Sequence, residues 1–129
     1  MLARDIMTRR VVFVSPVTAV RQLAKILTQN HVSGVPVVDK RGRVVGIVSE
    51  RDLLDGKGSQ VKSIMNKNVI GVAEDTSVQE IASLMATRHQ KRLPVMRGGH
   101  LAGIVSRADV VRAIAMGEQI GMRTPLYDL

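Results

Sequence analysis

The sequence predicts a mixed α/β fold, α+β in layout, made of two copies of one β-α-β-β-α unit. Three observations carry this. Gly46-Ile47-Val48-Ser49-Glu50-Arg51-Asp52 and Gly103-Ile104-Val105-Ser106-Arg107-Ala108-Asp109 spell the same G-I-V-S-x-x-D string, one in each half of the chain. The halves also match along their length at one constant offset: Ile6-Met7 falls on Ile64-Met65, Val14 on Val72, Val20 on Val78, Ala24 on Ala82, His31 on His89, and Pro36-Val37 on Pro94-Val95. Finally, each copy alternates short β-branched runs with stretches of helical period. From Gly46 and Gly103 onward the offset is one residue shorter, a deletion that the turn Arg97-Gly98-Gly99-His100 absorbs easily.

The elements follow in order. Val11-Val12-Phe13-Val14 and Val69-Ile70-Gly71-Val72 read as the first strand of each copy. A helix follows, with Val20, Leu23, Ala24 and Leu27 on one face in the first copy and Val78, Ile81, Ala82 and Met85 in the second. Ser15-Pro16 marks the start of the first helix, and Ser77-x-x-Glu80 makes a capping box for the second. Val35-Pro36-Val37-Val38 and Leu93-Pro94-Val95-Met96 come next as strands. The turns Asp39-Lys40-Arg41-Gly42 and Arg97-Gly98-Gly99 join them to Val44-Val45-Gly46-Ile47-Val48 and Leu101-Ala102-Gly103-Ile104-Val105, a hairpin in each copy. Proline inside a strand argues for an edge position, or for a bond on that side made elsewhere. A last helix spans residues 51–54 in the first copy and 107–116 in the second. Asp55-Gly56-Lys57-Gly58-Ser59-Gln60 is the linker, so the expected domains are 1–58, 59–116 and a tail, 117–129.

Composition bounds the rest. A chain of 129 residues can bury one real core, whereas a half of about 60 residues is marginal alone, so the copies should fold against each other. With no Trp, one Tyr and one Phe, that core must be Val, Ile, Leu and Met. The absence of Cys removes disulfides, thiolate metal sites and thiol nucleophiles, and suits a reducing cytoplasm, where we expect the protein to reside. Apolar runs are too short for a signal or a membrane span, so no membrane association is expected. A net charge of +8, from 19 Lys and Arg against 11 Asp and Glu, favours an anionic partner without identifying it.

The repeated string holds the chemistry. It leaves a buried strand, turns at Ser49 or Ser106, and begins a helix with Asp52 or Asp109 three residues on. Such a helix start suits a phosphate, the Ser hydroxyl adds a donor, and a carboxylate can accept from two neighbouring hydroxyls, as on a ribose. Gly46 and Gly103 permit close backbone approach. A capping arrangement accounts for the same Ser and Asp without any ligand. Recurrence at equivalent places in both copies weighs toward binding. Equivalent His31 and His89, with His100, are no metal site on spacing: two follow amphipathic helices, and no acidic or Cys partner stands at ligand distance in sequence. Met7, Met65, Met85 and Met96 fit core filling. No catalytic set can be assembled, so an enzyme is not expected.

The doubled unit resembles a pair of cystathionine β-synthase (CBS) domains, the adenosine-sensing Bateman module, over residues 5–115. The matching residues are Asp5-Ile6-Met7-Thr8 and Ser63-Ile64-Met65-Asn66, Val32-Ser33-Gly34-Val35-Pro36-Val37-Val38 and Gln90-Lys91-Arg92-Leu93-Pro94-Val95-Met96, and both G-I-V-S-x-x-D strings. The resemblance implies two β-α-β-β-α CBS repeats related by a pseudo-twofold axis, packed through their sheets, with two nucleotide clefts. One would combine Ser49, Asp52 and Ile47 with Val69, Ile70, Lys91, Arg92 and Leu93; the other Ser106, Asp109 and Ile104 with Val11, Val12, Val32, Ser33, Gly34 and Val35. In each, the Asp would hold ribose hydroxyls. Arg92 matches a phosphate-contacting arginine of the family and is the expected phosphate clamp. Lys91-Arg92 can also be read as solvated charges past a helix end. Where the second copy has Lys91-Arg92 the first has Ser33-Gly34, so the clefts should differ: the Ser49/Asp52 cleft should prefer AMP, ADP or ATP, the other a less charged adenosyl compound.

The function expected from this is a stand-alone regulatory module that binds an adenine nucleotide or a related adenosyl ligand, with no resident cofactor. A homodimer is expected through Val110, Val111, Ile114 and the Leu53-Leu54 pair, with an effector protein as a further possible partner. Two alternatives stay open: a basic nucleic-acid-binding protein, which lacks aromatic platforms and any reading motif, and a dimeric scaffold with empty clefts.

Overall fold

Proline decides how far each sheet grows. In β1 (Gly34–Val38) every residue is buried, and the strand pairs antiparallel with β2 (Val44–Ser49), placing Val35 opposite Val48 and Pro36 opposite Ile47. On the other side of β1, Val14 forms one parallel bridge to Val37, with Val14 N–H donating to Pro36 O at 3.1 Å and Val38 N–H to Val14 O at 2.8 Å. The next bond of a parallel ladder would run from the nitrogen of residue 36 to Val12 O, and proline has no hydrogen to give. The strand expected over residues 11–14 is therefore reduced to a single bridge. The second copy repeats this: beside β4 (Arg92–Arg97), which contains Pro94, β3 is only Val72–Ala73, not the expected residues 69–72.

The computed structural model describes residues 1–118, so the tail expected over 117–129 lies almost wholly outside the described residues. Its helices are α1 (Ala3–Ile6), α2 (Val20–Asn30), α3 (Glu50–Asp55), α4 (Val78–Arg88) and α5 (Arg107–Ala115), with a 3-10 turn at Val61–Ser63. The remaining strand, β5 (His100–Ser106), completes a sheet of order β3-β4-β5. Each hairpin turn has its own chemistry. Asp39 Oδ1 accepts from the Arg41 and Arg43 amides at 2.9 and 3.0 Å in the first, whereas Gly98 and Gly99, at φ 58° and 83°, supply the two positive φ angles of a tight two-residue turn in the second.

Helix α2 starts later than Ser15-Pro16 suggests. Those residues close a separate turn, in which Thr18 N–H donates to Ser15 O and Ser15 N–H to Thr18 Oγ1, and the helix begins at Val20 with an uncapped Ala19 before it. A short hydroxyl side chain next to proline satisfies the local amides better than a helix would. At α4, Ser77 Oγ does accept from Glu80 N–H at 3.1 Å, but the glutamate returns no bond, so the expected capping box is half made. Both helices end at a histidine in the left-handed region, His31 and His89, each at φ 53°.

The chain forms two compact units, and they are not the two sequence repeats. One comprises Val11–Val69 with Gly99–Leu101; the other comprises Met1–Arg10, Ile70–Gly98 and the chain from Ala102. Each repeat has surrendered its lead-in segment to the other's body. In the first unit, Leu23, Leu27, Val35, Val37 and Val48 form a core with Val61, which belongs to the second repeat by sequence, while Ile64 and Met65 pack against it. In the second unit, Val78, Ile81, Met85, Leu93, Val95, Val105, Val110 and Ala113 enclose Ala3, with Ile6 and Met7 against them. The exchange explains the recurring Ile-Met pair and the glycine of the repeated string together. A Cβ on Gly103 would lie 2.6 Å from Met7 Sδ and 2.9 Å from Thr8 O, and one on Gly46 would lie 2.7 Å from Met65 Sδ and 3.1 Å from Asn66 O. The close approach that glycine allows here is used by methionine and backbone.

Candidate functional site

In both copies the repeated string folds as its spacing demands. Val48 and Val105 are fully buried at the ends of β2 and β5, and the next residue, Ser49 or Ser106, stays extended as the N-cap of α3 or α5. Asp52 Oδ2 accepts from Ser49 N–H at 2.8 Å and Ser49 Oγ at 3.0 Å, and Asp52 N–H donates back to Ser49 Oγ at 3.4 Å. The second copy makes the same three bonds, at 2.8, 3.0 and 3.2 Å, between Ser106 and Asp109. These are reciprocal capping boxes. They also use up the helix starts: Glu50 N–H donates to Ser33 O at 2.9 Å and Arg107 N–H to Lys91 O at 3.0 Å. The free amides that sequence reasoning expected there are largely satisfied, and the segments before each proline strand are tied to the Ser-Asp turn of their own repeat.

The two acids differ in their remaining oxygen. Asp52 is half-buried, and its two bonds from Ser49 both fall on Oδ2. Asp109 is 7% exposed, and its Oδ1 takes the guanidinium of Arg112. Sequence reasoning missed Arg112; the signal is an Asp–Arg pair three apart on one helix. At the equivalent place in the first copy stands Asp55, which pairs with Arg51 at 3.5 Å instead.

The other expected residues fall as follows. Val11, Val12, Val32, Ser33, Ile47 and Val69 are half-buried in the first unit, and Gly34 is buried there. Ile70, Arg92 and Ile104 are half-buried and Lys91 is exposed in the second. Val35 and Leu93, each 1% exposed, spend their side chains in the cores and can offer only backbone. Lys91 lines a groove on α4 and α5 with Arg107 and apolar side chains. Among the described residues no three His, Asp or Glu gather as metal ligands, and no helix is long and apolar enough to cross a membrane. The pKa directions fall elsewhere: Glu74 is held below its ordinary value by its hydrogen bonds to Arg97, and Asp39 by the amide of Arg43.

Twin Ser-Asp turns recur at equivalent places on a duplicated α/β unit. The sequence profile of the CBS domain matches residues 3–57 and again 61–116, so the chain belongs to the CBS domain family. It is 35% identical over 116 residues to an uncharacterized 17.7 kDa protein of Acidianus ambivalens, covering 85% of this chain and 71% of that one. Some relatives are much longer: the chain spans 23% of the inosine-5'-monophosphate dehydrogenase of Methanocaldococcus jannaschii, at 31% identity, matching over 85% of its own length. Among solved structures it is similar to CBSX2 of Arabidopsis thaliana in complex with AMP, with TM-score 0.85 and 32% identity over 89% of this chain and 96% of that one. It is equally similar in fold to the CBS domain pair of protein MJ0100 in complex with 5'-methylthioadenosine and S-adenosyl-L-methionine, with TM-score 0.85 and 27% identity over 92% and 98% of the two chains.

Proposed function

We propose that this chain is a regulatory module that binds adenosine-bearing ligands, AMP, ADP or ATP or a related adenosyl compound, and changes its packing or its partner contacts in response. The observation that carries the reading is the Ser49/Asp52 and Ser106/Asp109 pair of turns, alike to within 0.2 Å in every hydrogen bond, in a chain whose structural neighbours are complexes with AMP, methylthioadenosine and S-adenosylmethionine. Oδ1 of each Asp is the atom proposed to meet the ribose diol, since Oδ2 is committed to the turn. Arg92 is proposed to meet phosphate, with Lys91 beside it, and Ile47, Ile104, Val11, Val12, Val32, Val69 and Ile70 to line sugar and base, with the backbone of Ser33, Gly34, Val35 and Leu93.

The module acts as a sensor and not as a catalyst in this reading, and the nucleotide is a signal that comes and goes, in a cytoplasmic homodimer with a separate effector protein. Such a ligand shifts packing only by binding one arrangement better than another. Calorimetry with AMP, ATP, NAD and S-adenosylmethionine on the wild type, Asp52→Ala and Asp109→Ala tests it. Each variant should lose one set of sites; unchanged heats in both remove the assignment. In a thermal-shift screen a true ligand at 100 times its Kd adds about 2.7 kcal/mol to stability.

A further inference from the structure

We propose that the turn between β1 and β2 grips the phosphate backbone of a single-stranded nucleic acid, a partner separate from the nucleotide of the reading above. The turn, Asp39-Lys40-Arg41-Gly42-Arg43, carries three cations in four successive residues, and Lys40, Arg41 and Arg43 are all exposed. Main-chain bonds fix its shape: Gly42 N–H donates to Asp39 O at 3.0 Å and Asp39 N–H to Arg43 O at 2.9 Å, with Gly42 at φ 82°. Asp39 is the one acid of the turn, and its Oδ1 is taken by the Arg41 and Arg43 amides. No ion pair among the described residues reaches Lys40, Arg41 or Arg43; those of Arg51, Arg97 and Arg112 lie on other elements.

His100 adds a fourth basic side chain. It faces Arg43 across an antiparallel bridge, Val44 N–H donates to Gly99 O at 3.3 Å, and Gly99–Leu101 belongs to the same compact unit as the turn. A Cβ on Gly42 would lie 3.0 Å from His100 Cδ2, and one on Gly99 would lie 2.9 Å from an Arg43 guanidinium nitrogen. The imidazole and the guanidinium thus rest close against glycine backbone, which lowers the side-chain entropy that gripping a ligand costs. Guanidinium groups clamp phosphate oxygens in pairs, and lysine serves as a point charge beside them. A run of phosphates satisfies several such cations at once, where the single phosphate of AMP satisfies one or two. The exposed large hydrophobics, Phe13, Val17, Leu54 and Val111 among them, stand on other segments, so the turn has no apolar anchor for a lipid surface. It carries no Phe, Tyr or Trp for bases to stack on either, so the grip is on the backbone and ignores sequence. Such a partner uses part of the net charge of +8 that an adenosyl site leaves idle.

Fluorescence anisotropy with two short fluorescein-labelled single-stranded RNAs of unrelated sequence tests this on the full chain. Both RNAs should bind alike, weaken steeply as salt rises, and stay bound in excess AMP. Arg41→Glu combined with Arg43→Glu should raise Kd at least about tenfold at ~0.15 M salt and reduce the salt slope by about 0.7 for each cation removed. Arg21→Glu combined with Lys25→Glu makes the same change of net charge on exposed positions of α2 and should leave Kd within about twofold. Circular dichroism confirms that each variant is folded, since the bonds that shape the turn come from the main chain and Asp39, which both variants keep. No RNA binding by the wild type, an equal loss in the α2 variant, displacement of the RNA by AMP, or capture by phosphatidylserine vesicles without RNA binding overturns the proposal. AMP heats on the same preparations report separately on the nucleotide reading.

Discussion

The guanidinium of Arg112 sits on Oδ1 of Asp109, one turn along α5, and the equivalent position beside Asp52 is filled by Asp55. Arg112 therefore shields a carboxylate oxygen in one copy and has no counterpart in the other, where Asp55 stands. If the proposed site is right, a diol arriving at Asp109 competes with that arginine.

Arg112→Ala should tighten adenosyl binding at the Ser106/Asp109 site. Losing one charge-assisted bond is worth ~1 kcal/mol, about fivefold in affinity. The measurement belongs in an Asp52→Ala background, so that only the second site gives heat with AMP or S-adenosylmethionine. An unchanged or weaker affinity would show that Oδ1 of Asp109 is not where the sugar binds.

Gly103→Ala should destabilise the protein by roughly 1–3 kcal/mol through overpacking, and Gly46→Ala by less. The difference lies in what each new methyl meets. At Gly103 the nearest rigid atom is Thr8 O at 2.9 Å, while at Gly46 it is Asn66 O at 3.1 Å, and the methionine in each pair can swing away. Chemical denaturation of both variants checks the order. If the glycines serve only ligand approach, neither substitution will move the midpoint and both will weaken AMP binding.

His31 and His89 hold the left-handed C-cap that glycine usually occupies. Replacing either with glycine relieves about 1 kcal/mol of backbone strain and returns about the same in unfolded-chain entropy, so stability should change by less than ~0.5 kcal/mol. Valine at either place, stiff at χ1 and crowded at positive φ, should cost about 1–2 kcal/mol. A pair of denaturation curves for His89→Gly and His89→Val separates this backbone role from any role for the imidazole, which both variants remove alike.

What was legible in the sequence was whatever repeats. The helix faces at Leu23, Leu27, Ile81 and Met85, both hairpins and both Ser-Asp turns stand where periodicity and spacing put them. The lead-in strands were misread because a β-branched run says nothing about whether its neighbour can donate, and here Pro36 and Pro94 cannot. Gly46 and Gly103 signal a close backbone approach, but local pattern cannot show that Met65 and Met7 make it, arriving from the other repeat. Long-range partners of that kind leave no trace in spacing. Arg112 was visible in principle, three residues beyond Asp109, but at that position duplication offers Asp55 for comparison and the pair breaks the repeat.

The exchange of lead-in segments yields the sharpest stability prediction. Fragments 1–58 and 11–69 are nearly equal in length, and both contain α2, β1, β2 and α3. Fragment 1–58 follows the repeat but carries Ala3, Ile6 and Met7, which belong to the other core, and lacks Val61, Ile64 and Met65, which complete its own. Val61 is fully buried, and truncating a buried aliphatic to nothing costs about 2–5 kcal/mol, as much as a domain of this size has to lose. Fragment 11–69 keeps all three residues, and with them the antiparallel bridge from Ile47 to Asn66. Amide proton dispersion should therefore be better developed for 11–69 than for 1–58, even though a fragment of this size is marginal alone. The reverse result, with 1–58 folded and 11–69 not, would mean that the repeats and not the exchanged units are the cooperative blocks of this fold.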